Sequence, residues 1–260
     1  MIGVFDSGIG GLTVVRALLD RLPDHDITYL GDTARTPYGS KSASTIIKYS
    51  LKNTEFLLRQ GARIIVIACN TASSYASQAV RDQFNVPVFE VIGPGAHLAV
   101  TRSRRRRIGV IGTRGTIASG VYEAKIKQEE PAARVFAVPC PLLVPLVEEG
   151  WITKPETAMV VRKYLHPLKT HQIDTLILGC THYPVLRHVI QRKIGARVAL
   201  VDSAEAIAEQ LAAFLDAPAP VIQANNKRRL TVFVTDVAEQ FRKTAQLILR
   251  QPVSIHQADL

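Results

Sequence analysis

Short runs of β-branched and aliphatic residues recur along the chain. Between them lie stretches whose apolar positions repeat every three or four residues. Ile2–Phe5, Ile27–Leu30, Ile64–Ala68 and Val88–Val91 form a first set of runs. They show too little polar alternation for a sheet with one wet face, so they predict strands covered on both sides. Leu12, Val15, Leu19 and Leu22 fall on one helix face, as do Ile47, Leu51, Thr54 and Leu58. Strands alternating with helices predict a parallel sheet with helices on each face.

The pattern restarts after Gly93-Pro94-Gly95. Ile108–Ile111, Val135–Val138, Thr175–Leu178 and Val198–Val201 are the second set of strands. Asp202 followed three residues later by Glu205 reads as a helix start. Ala217-Pro218-Ala219-Pro220 reads as a linker. A last strand at Leu230–Val234 and a helix at about Val237–Leu249 follow, a unit expected to pack back onto the first half. The halves resemble each other: Ile2-Gly3-Val4 matches Ile108-Gly109-Val110, and Ser7 and Thr113 follow at the same offset. The expected fold is α/β, with two pseudo-symmetric lobes, each a mostly parallel sheet covered by helices. Residues 1–92 plus 207–260 are expected in the first lobe and residues 93–206 in the second.

A chain of 260 residues with 47% hydrophobic and 21% charged residues has the composition of a soluble globular protein. No apolar run is long enough for a transmembrane helix. The start MIGVFDSG lacks a basic n-region, which argues against a signal peptide and for a cytoplasmic protein. The net charge of +10 is read as a solvated basic surface. Its densest part, Arg104–Arg107, has no interleaved aromatics and runs straight into a strand, so nucleic acid is disfavoured as a partner. The three cysteines are an odd number for a disulfide framework, and fit reduced thiols. Cys140 lies in the apolar stretch VPCPLLVP and reads as a buried structural thiol.

The other two thiols stand at matching places. IIVIACNTAS ends a strand at Cys69, and LILGCTHYP ends one at Cys180. Ligands of parallel α/β folds bind at the carboxyl ends of strands. Two facing lobes would therefore bring both thiols to one cleft, on opposite sides of a ligand. DSGIGG after the first strand fails as a dinucleotide fingerprint, because the third glycine would fall at Thr13. It fits either an anion-binding helix N-terminus or a bare tight turn. Cys180, His182 and His188 lack the companion ligands of a zinc site, and no metal is expected. A single thiol nucleophile would leave the second thiol idle. A redox disulfide would leave no room for a ligand. Acid–base chemistry uses both. A stereocentre is inverted when one face loses a proton and the other gains one, and thiols with a pKa near ~8.5 can serve both roles after tuning. The thiols alone thus suggest racemisation.

IGVFDSGIGG, GDTARTPYGSKS, ACNTAS, PCPLLVPLVEEG and LGCTHYP, in this order, resemble the glutamate racemase family of the aspartate/glutamate racemase superfamily over nearly the whole chain. The resemblance implies a cofactor-independent isomerase that racemises glutamate and supplies D-glutamate for peptidoglycan. It implies Cys69 and Cys180 as the catalytic acid/base pair, assisted by Asp6 and His182, with Glu148 as a site carboxylate. It implies substrate contacts from Asp6, Ser7, Tyr38, Gly39, Asn70, Thr71, Thr181 and His182, with Thr113 and Thr116 adding hydroxyls from the second lobe. A homodimer is carried as an option. The alternatives are a racemase of aspartate or another acidic amino acid and a non-catalytic two-lobed amino-acid-binding protein. A negative Asp6 near Cys69 would raise that thiol's pKa, so its help must come through orientation or proton transfer.

Overall fold

The computed structural model describes residues 1–216 and 229–260, so the linker expected at Ala217–Pro220 lies outside them. The first half runs β1 (Ile2–Asp6), α1 (Leu12–Arg21), β2 (Ile27–Gly31), α2 (Ala43–Arg59), β3 (Ile64–Ile67), α3 (Asn70–Gln83) and β4 (Val88–Glu90). α4 (Ile92–Arg102) leads to β5 (Arg107–Gly112), α5 (Arg114–Ala118), α6 (Val121–Glu129), β6 (Arg134–Pro139), α7 (Leu143–Glu148), α8 (Pro155–Thr170), β7 (Thr175–Gly179), α9 (Arg187–Ile194) and β8 (Ala199–Asp202). The chain closes with α10 (Ser203–Phe214), β9 (Leu230–Val234), α11 (Glu239–Leu249) and β10 (Ile255–Gln257).

Two sheets result. One has six strands in the order β10-β9-β2-β1-β3-β4, the other four in the order β6-β5-β7-β8. Every strand pairing among the described residues is parallel. The segment β2-β1-β3-β4 repeats as β6-β5-β7-β8, so the resemblance of the two halves is structural. β9 pairs with β2 from Ile27↔Leu230 to Gly31↔Val234, which returns the C-terminal unit to the first sheet.

Successive strand residues serve opposite faces, as a doubly covered sheet requires. Val4 and Val66 enter a core with α1, α10 and α11, while Phe5, Ile65 and Ile67 enter one with α2 and α3. In the second sheet Leu176 and Leu178 pack with α7, α8 and α9, and Ile177 packs with α4 and α6. The expected stripe of α1 is buried as read. That of α2 is shifted by one position. Ile46, Ser50, Asn53 and Leu57 are buried, as is Thr54 of the expected stripe, whereas Ile47, Leu51 and Leu58 flank the core. The polar members explain the shift: the Ser50 hydroxyl bonds the Ile46 carbonyl, and Asn53 Nδ2 bonds the Tyr38 hydroxyl at 3.0 Å. Asp202 caps α10 through the Ala204 N–H at 2.9 Å.

Candidate active site

The loop after β1 is folded by its own carboxylate. Asp6 is fully buried, and Oδ2 accepts the N–H groups of Gly8 at 3.1 Å and Gly11 at 3.0 Å. The glycine-rich turn therefore closes around Asp6 itself. Oδ1 accepts the Thr181 hydroxyl at 3.2 Å, a contact reaching the segment after β7. A Cβ at Gly10 would lie 2.5 Å from His182 Nδ1, so only glycine permits that approach.

Cys69 follows β3 and caps α3. Its sulfur accepts the Ala72 N–H at 3.5 Å and lies 3.7 Å from the Ser7 hydroxyl, to which it donates. Burial and then the Asp6 carboxylate push this thiol up to about 12, against the pull of Ala72 and Ser7. The sign foreseen for Asp6 is the sign found. Burial also raises Asp6, opposed by His182 and by the hydrogen bonds from Gly8, Gly11 and Thr181. Asp6 makes no hydrogen bond to Cys69 and acts on it through space.

Cys180 occupies the matching place after β7. Its sulfur lies 3.8 Å from His182 Nδ1, and His182 Nε2 lies 3.1 Å from Glu148 Oε1 at the end of α7. Burial works against a charge on His182, but Cys180 and Glu148 outweigh it and raise the imidazole to about 10. The ring is thus drawn toward its charged form, held between a sulfur and a carboxylate. Glu148 is about a third exposed, which gives the row Cys180–His182–Glu148 one end near solvent.

Both thiols line one enclosed cavity of about 20 Å³, with Ser7, Tyr38, Gly39, Asn70, Thr71, Thr113, Thr181 and His182. Asp6, Thr116 and Glu148 stand one layer behind. Thr71 Oγ1 lies 2.8 Å from Thr113 Oγ1 and 3.1 Å from Thr116 Oγ1, so the hydroxyl cluster crosses the cleft. Asn70 Nδ2 is buried without a partner. Pro37 and Val144 also line the cavity and were not singled out from sequence, although both lie in quoted motifs. A second groove of about 1730 Å³ holds neither thiol, and His188 belongs to it rather than to the Cys180 site. No group of three or more His, Cys, Asp or Glu side chains among the described residues is arranged to hold a metal ion.

Two parallel α/β units present paired thiols to a shared cavity. The chain belongs to the family described as Asp/Glu/Hydantoin racemase, whose model matches residues 12–211. It is 48% identical over 252 residues to a glutamate racemase of Syntrophus aciditrophicus, covering 95% of this chain and 92% of that one. It superposes on glutamate racemase isoform RacE1 from Bacillus anthracis with a TM-score of 0.94 at 36% identity, covering 100% and 97% of the two chains. It superposes on a Francisella tularensis glutamate racemase, solved in complex with D-glutamate, with a TM-score of 0.89 at 35% identity, covering 100% and 96%.

Proposed function

We propose that the protein interconverts L- and D-glutamate by a two-base mechanism without an organic cofactor. The observation that carries this reading is the pair of thiols in one cavity, each at the carboxyl end of a corresponding strand. One sulfur, as thiolate, takes the Cα proton: the C–H bond breaks and an S–H bond forms. The thiol across the cavity delivers its proton to the other face: its S–H bond breaks and the new C–H bond forms. His182 assists Cys180 directly, at 3.8 Å, and is itself oriented by Glu148. Asp6 acts on Cys69 through its field and organises the loop that carries Ser7. The Asn70 amide and the Thr71, Thr113 and Thr116 hydroxyls supply donors for substrate carboxylates and for charge that develops as the proton leaves.

A buried Cys69 pushed up to about 12 offers little thiolate while the cavity is empty. The α-ammonium of an amino acid brings a positive charge into the same pocket, and an opposite charge nearby favours the thiolate. The substrate's two carboxylates act the other way, so the ammonium must lie nearer the sulfur than they do for substrate to help ionise its own base. A cytoplasmic enzyme making D-glutamate for peptidoglycan is the setting that the resemblance supports. No helix of the described residues is long and apolar enough to cross a membrane.

The test is incubation of pure, exhaustively dialysed protein with L-glutamate in heavy water, followed by circular dichroism and by proton NMR at Cα. Loss of optical activity with α-deuteration is expected. No change with glutamate, but turnover of L-aspartate, would move the substrate to another acidic amino acid. No exchange with either would leave a binding protein.

A further inference from the structure

Asn70 is buried at the start of α3, lines the cavity beside Cys69, and has an amide nitrogen with no partner. An unpaired buried amide is costly and calls for an explanation. Its other end is held. Asn70 Oδ1 accepts the hydroxyl of Tyr122 at 2.7 Å, and Tyr122 is buried on α6, across the cleft. The two ends of a primary amide differ only in chemistry, so the neighbours decide which end faces the cavity. The phenol O–H of Tyr122 is the donor in this bond, so its partner must be the amide oxygen. Burial pushes the phenol's pKa further up, so the proton stays in place across the working pH range.

We propose that Tyr122 is a positioning residue that fixes the Asn70 amide with its two N–H bonds aimed into the cavity, as a donor for a substrate carboxylate. The inference rests on the glutamate racemisation reading. Because Tyr122 and Asn70 lie on opposite sides of the cleft, the donor is aimed only when the lobes are closed. Tyr122 touches no substrate and acts through Asn70. Nothing in the local sequence VYEAKIKQE marks this tyrosine; its role follows from where α6 sets it.

Tyr122→Phe keeps the ring and its packing and deletes the hydroxyl. Asn70 can then turn its carbonyl toward the substrate carboxylate. The expected result is a KM raised about tenfold for both enantiomers, with kcat within about threefold of the parent, the pattern of a lost contact common to ground and transition states. Asn70→Ala supplies the second arm. It should raise KM at least as far, and adding Tyr122→Phe to it should raise KM no further, because the two residues act as one unit. Glutamate affinity of each variant, measured by calorimetric titration, covers any variant too slow for kinetics. An unchanged KM in Tyr122→Phe overturns the inference, as does a full additional penalty in the Asn70→Ala background, which would mean that Tyr122 acts by packing. A parent protein that leaves glutamate untouched overturns the underlying reading instead, and the inference with it.

Discussion

A thiol wedged between a buried carboxylate and a helix start is held in opposition. The Ala72 N–H and the N-terminus of α3 favour a thiolate at Cys69, while burial and Asp6 favour the thiol. Cys180 instead faces an imidazole whose pKa is raised. The two sulfurs are therefore unlike in their resting environments although their strands correspond. Cys69→Ala and Cys180→Ala should each lower racemisation by at least about 10³-fold, the scale of a lost acid–base group, while far-UV circular dichroism and Tm stay near the parent's. Near-normal turnover in either variant would refute the two-base scheme. Asp202 offers a separate test of burial. Desolvation raises it from 3.8 to about 6, against the pull of Arg187 and the Ala204 N–H. Folded and unfolded chains both hold the proton below about pH 4. Between about pH 4 and 6 only the folded chain does, so this group's contribution falls as pH rises and is gone above about 6. Asp202→Asn keeps a capping side chain and removes the titration. The drop in unfolding free energy from pH 4 to pH 7 should shrink by up to about 3 kcal/mol in the variant, as urea titration at each pH would measure. Equal pH dependence in parent and variant would show that Asp202 does not titrate as described.

Helices and strands were legible where packing follows apolar spacing. β1, β2, β3, β5, β7 and β9 are runs that any doubly covered sheet requires, and they fall within a residue or two of where they were read. β10 was missed because Ile255-His256-Gln257 is three residues long and mostly polar, an edge strand with a single neighbour. The face of α2 was misread because spacing arguments count apolar residues. Here Ser50 and Asn53 take core positions with their hydrogen bonds satisfied inside. The candidate site divides the same way. Cysteine, histidine and glycine in short motifs announce chemistry, whereas Tyr122 and Val144 reach the site only through tertiary packing. The arginine run before β5 is explained at this scale. Arg106 pairs with Glu130 at 2.9 Å, Arg107 bonds the His171 carbonyl, and the Arg105 N–H meets Asp174 at 2.5 Å. All lie at the strand's N-terminal end, opposite the edge where Thr113 and Cys180 sit. Reversing Arg104–Arg107 to glutamate should lower Tm, since a carboxylate in place of the Arg106 guanidinium would stand beside Glu130. It should leave kcat/KM within about twofold, because charges beyond a Debye length are screened. A large loss of kcat/KM with the fold intact would mean that this run steers substrate.

The molecule as a whole is closed over its site. A cavity of about 20 Å³ holds roughly one water, so an amino acid enters only if the lobes part. The contacts across the cleft suit that motion. Thr181 to Asp6, Thr71 to Thr113, Tyr122 to Asn70 and Tyr75 to the Gly115 carbonyl are hydrogen bonds rather than interlocked apolar side chains. Each contributes only about 1 kcal/mol net, because water replaces the partner on opening. Closure then depends on close backbone approach at a few points, and Gly39 is one. A Cβ there would lie 2.5 Å from Thr113 Cβ, a branched carbon that cannot swing aside. Gly39→Ala should therefore hold the lobes slightly apart, loosen the hydroxyl cluster of Thr71, Thr113 and Thr116, and misplace the two sulfurs relative to Cα. A shift of even ~1 Å between reacting groups can cost up to about 10²-fold, so kcat should fall about tenfold or more, with KM rising as well. Within each lobe nothing is disturbed, and Tm should change by no more than a few degrees. Small-angle scattering with saturating D-glutamate should show the parent contracting more than the variant. A variant that closes and turns over like the parent would show that contact at Gly39 is not what completes the site.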